Sequence, residues 1–191
     1  KIHNLKVKFI NGSKENIKIT YFEDVSLFIK LIANKFLFGN GFDIHKLTKG
    51  NYLSLGGLKI KSKYKSIGHS DGDVVLHSLI DAILGALRAG DIGEHFPARR
   101  KYKNIDSSIL LDEIKKRYLN HKFIVDKIDC TIICQTVRLE KHKKSIKKHL
   151  SNILLTAQNN INIKAKTADK IGSIGNSKAI ACWVTVKIYK L

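Results

Sequence analysis

The feature of this 191-residue chain that most constrains its fold is VVLHSLIDAILGALRA, residues 74–89. Wound as an α-helix, the segment is apolar around most of its circumference, so other elements must cover it on several sides. The only charged or imidazole side chains in it are His77, Asp81 and Arg88. Gly90 is the expected stop. With Asp73 just ahead of the helix, Asp73, His77 and Asp81 fall at i, i+4 and i+8, one stripe of its surface. Leu76, Leu79, Ile80, Ile83, Leu84 and Leu87 cover the other side. A polar stripe on a buried helix costs free energy unless its groups are paired or bind something. The plain reading makes Asp73 a cap and His77 a satisfied core histidine; the sharper one makes the stripe part of a site.

What packs on that helix can be read from the remaining pattern. KFLFGNGFDIHKL (35–47) predicts a buried strand running into a glycine-rich bend. YLSLGGLKI (52–60) predicts a hairpin turning at Gly56-Gly57. Residues 68–73 form a loop. SSILLDEIKKRYL (107–119) predicts an amphipathic helix with serine as its cap. KIDCTIICQ (127–135) is a β-branched strand, 141–157 a helix, and INIKAK (161–166) and AIACWVTVKIY (179–189) the last strands. The fold class is therefore α/β (α+β): a single domain with a mixed β-sheet and helices packed on one face. Residues 1–34 read differently. They offer a hairpin around Asn11-Gly12 and a short amphipathic helix, VSLFIKLIANKF (25–36). They are assigned as an N-terminal extension of unknown role, ahead of a domain over 35–191.

Composition narrows the function classes. No run of about 18 apolar residues occurs, so no segment reads as a membrane span. Lys+Arg 35 against Asp+Glu 16 gives a formal charge of +19, which suits a phosphorylated partner. The lysines are scattered among Asn and Ile, though, and no nucleic-acid-binding motif accompanies them. Cys130, Cys134 and Cys182 form no CxxC pair, and their odd number argues against a disulfide framework. The chain starts at Lys1 without any Met, which suggests a processed or truncated product.

The chemistry lies in two short motifs. GFDIH places Asp43 and His45 two apart at the end of a strand, hence on one face of it. Joined by His77, they make an N/N/O set that suits Zn²⁺ with an open fourth position, the arrangement of catalytic rather than structural sites. Asp81, one turn beyond His77, is placed to receive the second ring N–H and fix the tautomer.

The combination of GFDIH, GHSDGDVVLHSLIDAILGALRAGDIGEHFP (68–97), DCTIICQ (129–135), KAKTADKIG (164–172) and IACWV (180–184) resembles the 2-C-methyl-D-erythritol 2,4-cyclodiphosphate synthases. The resemblance runs from Phe36 to the C-terminus. It implies an enzyme of non-mevalonate isoprenoid biosynthesis, a phosphorus–oxygen lyase. Its small-molecule cytidine diphosphate substrate, 4-diphosphocytidyl-2-C-methyl-D-erythritol 2-phosphate, is cyclised with release of CMP. It also implies a homotrimer with the sheets facing the central axis and active sites between subunits. Implied metal ligands are Asp43, His45 and His77 for Zn²⁺, and Asp169 for a second cation, Mg²⁺ or Mn²⁺, held through the phosphates. His69 and Thr167 take the catalytic positions that steady charge in the transition state. Asp43, Ile44, His45, His69, Ser70, Asp91, Ile92, Gly93 and Phe96 match positions around the erythritol and diphosphate. Cys134, Arg138, Leu139, Ala165, Lys166, Thr167 and Asp169 match the cytidine and phosphate segments. Asp73 and Asp81 organise the loop and the zinc ligands.

The chain departs from the family pattern in places. FPARRKYKN (96–104) has Ala98 and Arg100 where the family carries an acidic loop, Asp169 stands where Glu is usual, and Asn176 and Lys178 replace Arg and Glu. Two other functions compete: another zinc phosphohydrolase or phosphodiesterase, and a basic nucleic-acid-binding protein. The motif set favours the synthase, with neither nucleic acid nor membrane as a partner. The expected location is a plastid-type organelle, apicoplast-like, after removal of a transit peptide; the bacterial cytoplasm is the alternative.

Overall fold

The structure is a computed structural model that describes residues 11–12, 18–33, 35–68, 70–97, 102, 104–120 and 122–191. The chain falls into two compact units, residues 1–35 and 36–191. In the first, helix α1 spans Phe22–Ala33, starting three residues ahead of the expected segment. Its entry is held by the Asp24 carboxylate, which accepts from the backbone N–H of Thr20 and Tyr21 at 2.8 and 2.9 Å. The first strand of the hairpin expected around Asn11-Gly12 lies outside the described residues; in its second segment (15–25), residues 18–20 form no strand and Phe22 onward is α1.

The second unit is built on a five-stranded sheet. Its strands are β1 (Phe36–Lys49), β4 (Tyr64–Ile67), β5 (Phe123–Ile133), β6 (Ile161–Lys166) and β7 (Ala179–Lys190), in the order β4-β1-β7-β5-β6. Among the described strands of this sheet, only β5 and β6 pair in parallel. Their connection passes through α5 (Lys143–Leu154), as parallel neighbours require a crossover. A separate hairpin, β2 (Tyr52–Leu55) and β3 (Leu58–Lys61), turns at Gly56 and Gly57 with φ of 63° and 80°. Two consecutive positive φ values make the tight turn whose twist matches the strands it joins.

The apolar helix is α2, Val74–Leu87, and ten of its fourteen residues are buried. It lies across β1 and β7, with α4 (Ser107–Ile114) beside it. Gly39 and Gly41 explain how it gets so close. A Cβ on Gly39 would sit 2.0 Å from the Ala82 carbonyl oxygen, and one on Gly41 1.9 Å from that of Ser78. The expected glycine-rich bend is therefore absent. β1 runs unbroken through both glycines, which are there to admit the helix backbone. Ser78, also buried, donates its hydroxyl to the carbonyls of Val74 and of Cys182 on β7.

Smaller expectations shift by local chemistry. α2 ends at Leu87, with Arg88 in the left-handed region at φ 55° and Ala89 N–H returning to the Leu84 carbonyl, ahead of Gly90. α4 is capped by Asp106, which accepts from Ser108 N–H, rather than by a serine. It continues as one π-helical turn over Lys115–Leu119. Among the described residues, no helix is long and apolar enough to cross a membrane. The sheet face opposite the helices carries Phe38, Phe42, Ile44 and Trp183, each half or more exposed.

Candidate functional site

Strand period and helix period meet where β1 and α2 cross. Asp43 and His45 point toward the helix, and His77, one residue before Ser78, points back. The Asp43 Oδ2 atom lies 2.7 Å from His45 Nε2 and 2.9 Å from His77 Nδ1, and the two nitrogens are 3.0 Å apart. The three side chains are between 12% and 25% exposed. Ile44, between them in sequence, faces the other side of the sheet and offers the site only its backbone, whose N–H donates to Asp43 Oδ1 at 2.8 Å.

Each imidazole is held by its other nitrogen. His45 Nδ1 lies 3.1 Å from the Ile67 carbonyl, which can only accept, so the Nδ1–H donates there and Nε2 is the nitrogen turned to Asp43 and His77. His77 Nε2 faces the hydroxyls of Ser70 at 2.8 Å and Ser107 at 3.1 Å. Two ring nitrogens and a carboxylate oxygen, each ring anchored behind, is the donor pattern of a divalent cation site. Asp43, His45 and His77 fit such a cation. Without one, protons tie the group together. Burial works against charge on Asp43, yet its bonds to both histidines hold the carboxyl well below the usual carboxylate range. Burial likewise opposes charge on His45, and the Asp43 partner outweighs it and raises the imidazole.

The flanking carboxylates do different work from each other. Asp73 is fully buried and accepts from Val75 and Leu76 N–H at the start of α2, and from Gly56 and Gly57 N–H in the hairpin turn, at 2.7–3.0 Å. It caps the helix and ties the β2–β3 turn to it. Burial pushes its carboxyl up, against the pull of those donors. Asp81 does not reach the His77 ring, contrary to expectation. Its Oδ1 accepts from Ile92 N–H at 2.8 Å, the first residue of the short helix α3 (Ile92–His95). A spacing of four puts two side chains on one stripe without making them face each other, and His77 Nε2 is turned toward the serines. Asp81 thus fixes the turn of Asp91, Ile92 and Gly93. Asp91 caps α3 through Glu94 N–H at 2.9 Å, and Phe96 is buried against the Tyr102 ring.

The remaining residues gather elsewhere. Cys134, Arg138, Leu139, Ala165, Lys166 and Thr167 line one cleft of about 330 Å³ with Gln135, Val137 and Glu140. It opens beyond the ends of β5 and β6. The register aligns Ile133 with Lys166 and with Ala181, which in turn opposes Ile44, so cleft and metal group sit at the same end of the sheet. None of Asp43, His45 and His77 lines the cleft. Asp169, just past it, has φ 45° and accepts the Thr167 hydroxyl at 2.9 Å; it caps no helix. His69, Ala98 and Arg100 lie outside the described residues. Sequence reasoning misses Ser107 and Asp71 as members of the site, and no sequence spacing links them to His77.

The profile of the YgbB family matches residues 36–189. A bifunctional enzyme IspD/IspF of Pelagibacter ubique is 45% identical over 97% of this chain and 49% of its own length. The chain thus spans about half the length of the bifunctional relatives it matches. The 2-C-methyl-D-erythritol 2,4-cyclodiphosphate synthase of Bacillus mycoides is 40% identical over 81% of this chain and 99% of its own length. A CDP complex of IspF from Plasmodium falciparum aligns with a TM-score of 0.72 and 34% identity, covering 82% of this chain and 97% of that one.

Proposed function

The chain belongs to the YgbB family, that of the 2-C-methyl-D-erythritol 2,4-cyclodiphosphate synthases, and we propose that it cyclises 4-diphosphocytidyl-2-C-methyl-D-erythritol 2-phosphate with release of CMP. The observation that carries this reading is the convergence of Asp43, His45 and His77, with ligand atoms within 4.8 Å of one another. An oxygen of the 2-phosphate attacks the β-phosphorus, the bond from that phosphorus to the α-phosphate oxygen breaks, and CMP departs with the electron pair. Such a transfer asks the protein for positioning and for charge on phosphate oxygens rather than for covalent chemistry. Zn²⁺ held by Asp43, His45 and His77 supplies Lewis-acid polarisation of the β-phosphate when bound.

The chain's own groups do the rest. His45 and His77 are locked by Ile67 and the two serines, so the donor set needs no rearrangement. The turn at Asp91–Gly93, fixed by Asp81, receives the erythritol; Asp91 has one carboxylate oxygen committed to Glu94 and the other available to a hydroxyl. The cleft of Cys134, Arg138, Leu139, Ala165 and Lys166 takes the cytidine, a reading supported by the Plasmodium relative being a CDP complex. Thr167 and His69 steady the diphosphate in the transition state. Asp169, bonded to Thr167, holds Mg²⁺ or Mn²⁺ through the phosphates.

A homotrimer, with the cleft of one subunit completing the metal group of the next, accounts for two half-sites that do not merge in one chain. The apolar sheet face of Phe38, Phe42, Ile44 and Trp183 supports burial against the trimer axis. For location, a bacterial relative at 45% identity against 34% for the Plasmodium protein favours the bacterial cytoplasm over an organelle.

The test is a phosphorus NMR assay with the diphosphocytidyl substrate, Zn²⁺ and Mg²⁺, on the wild type and His77→Ala. CMP and the cyclic diphosphate should form with the wild type only. An opened phosphate in place of the cycle would point to a phosphohydrolase, and no turnover by folded, zinc-loaded protein would overturn the assignment.

A further inference from the structure

His77 can serve as a ligand through Nδ1 only if its proton stays on Nε2. Two hydroxyls meet Nε2, from Ser70 at 2.8 Å and Ser107 at 3.1 Å. A hydroxyl can donate or accept, so this pair alone does not choose the tautomer. The choice is made one step further out. Ser107 Oγ lies 2.5 Å from Asp71 Oδ1, and a carboxylate only accepts. Ser107 therefore spends its single proton on Asp71 and presents lone pairs to everything else. Ser70 Oγ lies 3.3 Å from Ser107 Oγ, close enough to pass its own proton to a Ser107 lone pair. The Ser107 hydroxyl, its proton held by Asp71, turns a lone pair to Nε2, which favours the proton on Nε2. The Nδ1 lone pair is left facing Asp43 and His45.

We infer that Asp71 and Ser107 are positioning residues that act through the hydrogen-bond chain Asp71–Ser107–His77 to keep His77 in its cation-binding tautomer. The chain is built in. Ser107 is fully buried at the first turn of α4. Its N–H also reaches Asp71 Oδ1 at 3.3 Å, and Asp71 N–H donates to the Ile105 carbonyl at 3.0 Å. The loop at 70–73 and the start of α4 are thereby fastened together around the ring. Hydrogen-bonded partners behind a metal-ligating imidazole set both its tautomer and its basicity, and losing one costs about 10–100-fold in metal affinity.

This rests on the zinc reading above, so the experiment separates the two. Zn²⁺ affinity of the metal-free full chain is measured by competition with a chromophoric chelator, and Co²⁺ absorption reports ligand geometry. The variants are His77→Ala, Ser107→Ala, Ser107→Thr, Asp71→Asn and Ser107→Ala with Asp71→Asn, all checked for folding by circular dichroism. His77→Ala binding as tightly as wild type would refute the metal site itself. With that control passed, Ser107→Ala and Asp71→Asn should each weaken Zn²⁺ about 10–100-fold and alter the Co²⁺ spectrum. In Asp71→Asn the side-chain amide is free to donate to Ser107, which reverses the chain and turns the serine proton toward His77. Ser107→Thr should restore wild-type affinity, and the double variant should be no weaker than the weaker single one. Asp71→Asn and Ser107→Ala both within about twofold of wild type would overturn the inference, as would effects that add in full.

Discussion

The metal group and the cleft occupy the same end of one sheet, yet they are built on opposite principles. The metal group is closed. Its side chains come from within a strand and from the first turn of a buried helix, are mostly shielded from solvent, and have their spare polar atoms bonded. The cleft is open. It is made of strand ends and the segment after them, and Thr167 is exposed. The difference teaches what each can do alone. The first is preorganised within one chain and should bind its cation as a monomer. The second offers a single open wall.

The sharpest way to break that contrast is to remove a member of the closed group. His77→Ala should abolish both stoichiometric Zn²⁺ binding and turnover while the fold persists, read by metal analysis and the phosphorus assay. Next comes the frame that holds the group. Asp73→Ala removes a helix cap, costing about 1–2 kcal/mol. It also strands Gly56 N–H in the interior, costing roughly 1–3 kcal/mol more. Urea denaturation should show the sum. Gly41→Ala would drive a methyl into the Ser78 carbonyl, and overpacking of this kind costs about 1–3 kcal/mol. Because Ser78 and Gly41 are neighbours of the ligands, Zn²⁺ affinity should fall along with stability. The open region should respond differently. Arg138→Ala should raise KM for the cytidine substrate several-fold, roughly 1 kcal/mol of uniform binding, with Zn²⁺ affinity and stability unchanged.

The same contrast decides what can be read from the sequence. Asp43 with His45, and His77 in its stripe, are legible because strand and helix periods dictate which side chains share a face. The hairpin at Gly56-Gly57 and the strand at 161–166 are legible because their signals are local. Gly39 and Gly41 read locally as a bend because their cause is a helix some forty residues later in the chain, invisible to any local rule. Ser107 reads as a cap for a similar reason. It sits beside Asp106, another capping residue, and its real partners are His77 and Asp71, 30 and 36 residues away. The cleft residues are placed by family resemblance rather than by residue chemistry.

Asp81 offers the smallest effect and the finest cut, since it stands on the helix that carries His77 but serves the turn at Asp91–Gly93. Burial raises its carboxyl above the ordinary value, and the Ile92 N–H bond only partly offsets this. A carboxyl raised on folding favours the protonated form. Its contribution to stability is therefore fully present below the unfolded value of about 3.9 and is lost as pH rises through the folded value. Asp81→Asn removes the charge and keeps an oxygen for Ile92. The variant should thus be equal to or slightly more stable than wild type at pH 7, and the difference should vanish on acidification below about pH 4, followed by urea midpoints across pH. If Asp81 served the His77 ring, Asn would weaken the cation instead. Unchanged Zn²⁺ affinity in Asp81→Asn, beside a loss in Ser107→Ala, would place the support of the metal group on the serine side alone.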